Sequence, residues 1–304
     1  MKLIAFPAYS VRLGDSRVPL RLAFALVAAT LAAGCANLQA VNSTADQLVS
    51  TASFWNSVAE EFSASCARRN QVSEVPSNCI EEKKTTAGLE DADKMLAAYF
   101  TAIEQASTSS RFSVRSGISE LSSSLQSIPG INSTQAKAVS GLASFLANAA
   151  TSTLEQRTIK VLIAKGAPKA EAVIDVMNDF VVPGLKKVYG REQSQIRATF
   201  QSYIQQSGSA VDLRKVDCMT GPTARHFQTG IEFLLAQEYC SRVRELAAKT
   251  AALTGYQASL KTAKAALENL QSGKDNLGNE DLARQLISQA STLKNDIAKV
   301  NKAF

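Results

Sequence analysis

The feature that most constrains this chain is an apolar seam with alternating spacings of three and four. Leu38, Val41, Ala45, Leu48, Ala52, Trp55, Ala59, Phe62 and Cys66 keep that spacing throughout. It places one apolar stripe along an α-helix and demands other helices to cover it. Similar seams recur down the chain. Leu89, Ala92, Leu96, Tyr99, Ile103 and Ala106 mark a second helix, over about 83–110. Val114, Ile118, Leu121, Leu125 and Ile128 mark a short third. Val139, Leu142, Leu146 and Ala149 mark a fourth that runs towards Ile163. Val173, Met177, Phe180 and Val181 belong to a fifth, which resumes with Leu185, Val188, Tyr189, Ile196, Phe200 and Tyr203. A long sixth, over about 230–272, carries Leu246, Leu253, Leu260 and Leu267 at intervals of seven, with Tyr256, Ala263 and Leu270 between them. Leu282, Leu286, Leu293, Ile297, Val300 and Phe304 complete the last. No segment of length alternates with the period of two that a strand needs. The expected fold is all-α: an antiparallel bundle of about six to seven helices, with long coiled-coil-like members. Trp55 and the Tyr and Phe positions on the seams are expected in its core.

Local signals place the boundaries. Ser43 and Asp46 offer a capping box, so the first helix is expected to start at Leu38 or there. Val75-Pro76 breaks the polar segment 67–82, and Pro129-Gly130 ends the third helix. Asn132 with Gln135 caps the fourth. Gly166 and Pro168 read as its stop, with the fifth beginning near Pro168. Pro183-Gly184 is expected to kink or break that fifth helix, because proline lacks a donor and clashes one turn back. Asn279 caps the last helix, with Glu280 and Asp281 in its first turn.

The N-terminus reads as a targeting segment and not as part of the fold. Lys2, Arg12, Arg17 and Arg21 precede an uncharged run from Leu22 to Ala33, too short to span a bilayer, which takes about 20 residues. The run ends at Leu31-Ala32-Ala33-Gly34-Cys35. This segment resembles the lipobox of bacterial lipoprotein precursors. The resemblance implies cleavage after Gly34, removal of residues 1–34 as a signal peptide, and lipid on the Cys35 thiol and on its freed amine. Two or three acyl chains give stable anchoring. Ala36, in place of an Asp, points by the same resemblance to the periplasmic face of the outer membrane. Residues 35–304 are then the mature helical domain. Residues 1–34 carry four basic side chains against Asp15, so the mature chain keeps +3 of the formal +6. Nothing in that balance argues for nucleic acid.

Cys66, Cys79, Cys218 and Cys240 remain, an even number in an exported chain. Of three possible connectivities, local pairing, Cys66–Cys79 and Cys218–Cys240, is preferred. Free buried thiols and a zinc site of Cys218, Cys240 and His226 are weaker alternatives. Local pairing constrains the sixth helix. Were it to start at Pro222, Cys240 would lie about 27 Å along its axis, while Cys218 could reach back only about 14 Å. A start at Thr229, capped with Glu232, puts Cys240 roughly 15 Å in, within reach.

The chain is poor in catalytic signals. It lacks a G-x-x-x-x-G-K phosphate loop, a G-x-S-x-G elbow and a C-x-x-C-H haem attachment. Its one histidine, His226, would have to serve any triad with Asp212 or Asp217, or any haem with Met177 or Met219. The doublets Glu60-Glu61, Glu81-Glu82 and Glu280-Asp281 read as solvated faces, as do Arg68-Arg69, Lys83-Lys84 and Lys186-Lys187. For Arg68-Arg69 and Lys83-Lys84 the functional alternative is contact with anionic headgroups.

The expected function is a lipid-anchored, non-catalytic interaction or structural module, with no cofactor or metal and with a protein partner in the envelope. The partner surface is expected around the loops 67–82 and 207–229, stapled by the disulfides. The alternative is a bundle that binds a small apolar or lipid ligand, opening at Pro183-Gly184. A His226-based enzyme is the third reading.

Overall fold

A computed structural model describes residues 18–108, 128, 131–151, 159–224 and 227–304; of 18–37, 150 and 151 it describes the backbone alone. Six α-helices occupy these residues: α1 Val18–Val72, α2 Ile80–Thr108, α3 Ser133–Thr151, α4 Ile159–Gln206, α5 Gly230–Gly273 and α6 Glu280–Val300. One 3-10 turn, Leu213–Lys215, lies between α4 and α5. The described residues hold no strand.

Cross-helix contacts fix the directions. Asn42 Nδ2 donates to the Glu104 carbonyl at 3.2 Å and Thr86 Oγ1 to the Ala59 carbonyl at 3.1 Å, so α1 and α2 are antiparallel. Tyr189 of α4 lies beside Glu61, and Thr199 donates to the Val72 carbonyl at 2.8 Å, so α4 runs parallel to α1. α5 opposes both: Trp55 Nε1 donates to Ser259 Oγ at 2.9 Å and Lys249 Nζ to Glu61 at 2.6 Å. α6 folds back on α5, with Leu282 against Gly273 and Val300 against Gly255. α3 folds back on α4, with Gly141 beside Lys169 and Phe145 beside Gly166. So α1, α4 and α6 run one way and α2, α3 and α5 the other. The turns after α1 and α4 therefore share one end of the bundle. The start of α1 lies at the opposite end.

The seams fill one continuous core. From Val41 to Cys66 every member of the first seam is buried. Leu38 is partly exposed at its edge. Trp55, Tyr99, Phe100 and Tyr256 are fully buried, and Trp55 meets the edge of Tyr256 at 6.4 Å between centroids. Such burial of large apolar side chains supplies most of the drive to fold. The caps at Asn132 and Asn279 form as the spacing predicts. Asn132 and Gln135 exchange side-chain and backbone bonds at 2.9 and 3.0 Å. Asn279 accepts from Asp281 and Leu282.

Three expected boundaries are corrected. α1 runs unbroken from Val18 through Leu38, Ser43 and Asp46, so no helix starts at either expected place. Ile163 belongs to α4, which runs antiparallel to α3, so the fourth helix does not continue to it. α4 then continues as a single helix of 48 residues through both Pro168 and Pro183. Both prolines face solvent, where water can satisfy the carbonyl each leaves unbonded, while buried residues on either side hold the helix. Gly166, read as a stop, is instead a close approach: a Cβ there would overlap the Tyr99 ring and meet Phe145 at 2.7 Å. The third helix expected over Val114 to Leu125 lies outside the described residues; its last seam member, Ile128, is buried.

Candidate functional site

Both disulfides form with local pairing. Cys66–Cys79 joins the last turns of α1 to the start of α2, and Cys218–Cys240 joins the second loop to α5. α5 begins where chain reach requires. Thr229 caps it, accepting from Glu232 N at 3.2 Å while Glu232 returns bonds to the backbone N–H groups of Thr229 and Gln228.

Both loops are also stitched by amides. Asn70 on α1 donates to the Ser77 carbonyl at 2.8 Å and accepts from Ser77 N at 2.9 Å. Gln201 on α4 donates to the Val211 carbonyl at 2.8 Å and accepts from Leu213 N at 2.9 Å. Asp217 accepts from Met219 N and from Thr220 Oγ1, both at 2.9 Å. The backbone bond from Met219, with that of the Thr220 hydroxyl, holds its carboxyl below the usual range. The described residues of both loops are thus tied at many points.

Large apolar side chains are exposed mainly at this end. Val75, Ile80, Tyr203, Met219, Ile231 and Leu234 are all exposed here, from 42% for Tyr203 to 83% for Val75. Only Leu38 and Ile287 are comparably exposed elsewhere among the described residues. A groove beside them is lined by Gly221, Pro222, Leu234, Gln237, Glu238, Ser241 and Arg244.

Beneath the stapled end lies a buried ion network. Arg68 binds Glu192 through Nε at 2.7 Å and Nη2 at 3.0 Å, and Glu61 through Nη2 at 2.9 Å. Glu61 also receives Lys249 Nζ at 2.6 Å and the Tyr189 hydroxyl at 3.2 Å. Ser65 donates to Glu192 at 2.5 Å. Two acids and two bases sum to zero charge and clamp α1, α4 and α5. Burial alone would raise the Glu61 carboxyl, but the bonds from Arg68 and Lys249 outweigh it and hold it low. Burial opposes the Arg68 charge in turn, and Glu192 and Glu61 more than restore it. Burial and the nearby Glu61 charge push the Tyr189 phenol up.

This network and the adjoining pair Arg69–Glu82 correct the solvated reading of three doublets, Glu60-Glu61, Arg68-Arg69 and Glu81-Glu82. Glu61 and Arg68 face inward, and Arg69 pairs with Glu82 at 2.7 Å. The two arginines are therefore committed within the fold and do not serve anionic headgroups. Glu60, Lys83, Lys84, Lys186 and Lys187 do face solvent. The available signal was the pair Glu61 and Arg68, opposite charges seven residues apart beside an apolar seam.

Other expected sites stay apart. Gly34 and Cys35 lie on the backbone of α1, and their side chains are outside the described residues. His226 is likewise outside them. Asp212 caps the 3-10 turn, accepting from Arg214 N at 3.0 Å. Met177 is buried in the core and Met219 is 73% exposed, and the histidine that either would need for a haem is the one outside the described residues. Cys218 and Cys240 are consumed by their disulfide, so neither can ligate zinc. No cluster of His, Cys, Asp and Glu fit for a metal occurs among the described residues. At Gly184, the expected opening, a Cβ would meet Phe62 at 2.9 Å, and Phe62 stacks on Phe180. That approach is filled. No helix among the described residues is long and apolar enough to cross a membrane. No known protein family, curated protein or solved structure matches the chain.

Proposed function

We propose that this chain is a non-catalytic interaction module, anchored through lipid on Cys35 to the periplasmic face of the outer membrane. Its disulfide-stapled end is the docking surface for a protein partner. The observation that carries the reading is the gathering of six exposed apolar side chains at the end of the bundle opposite the start of α1. Exposed apolar clusters mark interaction sites, and pre-ordered loops lower the entropy cost of binding. The seam from Leu38 to Cys66 spans about 40 Å at 1.5 Å per residue, enough to hold that surface well clear of the bilayer.

The test is site-specific photo-crosslinking in the native envelope. A photoreactive side chain at Met219, Leu234 or Val75 should give one discrete adduct, and one at Ile287 none. Equal adducts at all four positions would overturn the docking surface. The intact mass of the same protein reports acylation at Cys35 separately, and an unmodified Cys35 would remove the anchor.

A further inference from the structure

We propose that the outer face of α4, between Pro183 and Gln201, receives an acidic surface of the protein partner and forms the charged flank of the docking surface. The proposal rests on the docking reading above and names the chemistry of its partner. Spacing defines the face. Pro183, Lys187, Gly190, Ser194, Ala198 and Gln201 recur at intervals of four, three, four, four and three, which sets them along one side of the helix. Lys186 and Arg197, three turns apart, flank that side on one edge. Arg191, one turn on from Lys187, flanks the other. From Pro183 to Ala198 every one of these residues is exposed. The middle is open, since a Cβ on Gly190 would meet nothing within 4 Å. Short side chains at Ser194 and Ala198 leave the flanking cations within reach of a partner laid along the helix.

Charge and continuity point to the partner. Between Pro183 and Gln201 the sequence holds one acid, Glu192, and that acid is turned away. It is 1% exposed and bound by Arg68 and Ser65. Lys186, Lys187, Arg191 and Arg197 pair with no carboxylate among the described residues. The preceding turns of α4 differ: Asp175 and Asp179 are exposed there, and Lys264 holds Asp175 at 2.7 Å. Lys187 and Arg191 are like charges one turn apart, so the fold gains nothing from setting them side by side. Gln201, at the end of the face, donates to the Val211 carbonyl at 2.8 Å and accepts from Leu213 N at 2.9 Å. The face therefore runs directly into the second stapled loop, where Lys215 is exposed and extends the row of cations.

Position argues against the anchoring bilayer as the anion. Gly184 packs on Phe62, which lies about 40 Å along α1 from Cys35 at 1.5 Å per residue. Attraction between exposed charges is screened within about 8 Å at physiological ionic strength. A protein that docks on the stapled loops brings its own surface to this face. The cations then steer the encounter and fix its register, while the apolar side chains of the loops hold the complex.

Photo-crosslinking of the full chain in its native envelope tests this, with the photoreactive side chain placed in turn at Ser194 on the cationic face and at Met219 on the stapled loop. Both positions should give an adduct of the same mass, and the peptide attached at Ser194 should carry an excess of Asp and Glu. Lys187→Glu with Arg191→Glu should cut the yield at Ser194 about tenfold, as two attractions become repulsions. Both residues are exposed, so the thermal midpoint should stay unchanged. Lys261→Glu with Lys294→Glu, exposed lysines on α5 and α6, makes the same change in net charge and should leave the yield intact. An adduct at Met219 alone, full yield from the Lys187 and Arg191 variant, or an attached peptide without acidic excess would overturn the proposal and leave docking at the loops standing. A glycan, a lipid or a second copy of this chain attached at Ser194 would overturn it as well. No adduct at either position would overturn the docking surface itself, and this flank with it.

Discussion

Two sets of buried charge sit in this bundle, and they solve the same problem differently. Glu61, Glu192 and Lys249 are buried and Arg68 half-buried among them, each with an oppositely charged partner at 2.6 to 2.9 Å. Asp93 on α2 is 2% exposed, and both its carboxylate oxygens are buried without a hydrogen-bond partner. Burial drives the Asp93 carboxyl well above its ordinary range, and the Glu90 charge adds to this against the weaker pull of Lys94. Burial pushes the Tyr256 phenol of α5 up as well, and an ionised Asp93 would add to this from across the core. The network keeps its charges by pairing them. Asp93 sheds its charge by holding a proton. A buried acid is thus either a joint between helices or a proton-binding group, and its neighbours decide which.

The largest effect should come from breaking the paired set. Arg68→Met leaves Glu192 and Glu61 buried with less compensation, and should lower the unfolding free energy by about 3–5 kcal/mol. Denaturant midpoints measure this. Adding Glu192→Leu to that variant should recover part of the loss, because a buried charge without its partner costs more than an apolar pair. If the double variant is no better than the single, the network is not a mutual pairing. A smaller loss tests the neutral joint between α1 and α5. Ser259→Ala strands the Trp55 indole N–H in the core and should cost about 1–3 kcal/mol, seen as a lower thermal midpoint.

The two sets also differ in how far they could be read ahead of the fold. Apolar spacing locates α1, α2, α5 and α6, because a helix in a bundle repeats its buried face regardless of which helix covers it. The start of α5 at Thr229 was legible for another reason: chain reach to Cys218 excluded an earlier one. Glu61 and Arg68 were not recognised, because charged doublets look alike whether both members are solvated or one turns inward. Glu60 is exposed and Glu61 buried, one residue and about 100° apart. Asp93 carried even less signal, being flanked by Asp91 and Lys94 on what reads as a polar helix face. Continuity of α4 through Pro168 failed for the converse reason. A local stop signal was overridden by packing at Gly166, where Tyr99 and Phe145 close on the backbone. The stapled end was legible only as two loops. That they share one end depends on α1 and α4 being parallel, which no local pattern states.

The sharpest separation of the two sets lies in pH, because their signs are opposite. The Glu61 carboxyl is held low in the folded state, so its contribution is present above the ordinary carboxylate range and is lost as pH falls through its folded value. The Asp93 carboxyl is held high, so the folded state keeps a proton that the unfolded chain releases. Its contribution is complete below the unfolded value, near 4, and falls as pH rises towards the folded one. Asp93→Asn keeps the shape and removes the proton, so it should abolish the fall on the alkaline side and leave the acid side untouched. Relative to the unaltered protein, the variant should gain about 1.4 kcal/mol for each pH unit across that window. Urea midpoints of both proteins at pH 4, 5, 6 and 7 would measure it, choosing round values about the ordinary carboxylate range. An offset between the two curves that stays constant with pH would mean that Asp93 is charged in the fold, and the contrast between a paired set and a protonated one would be gone.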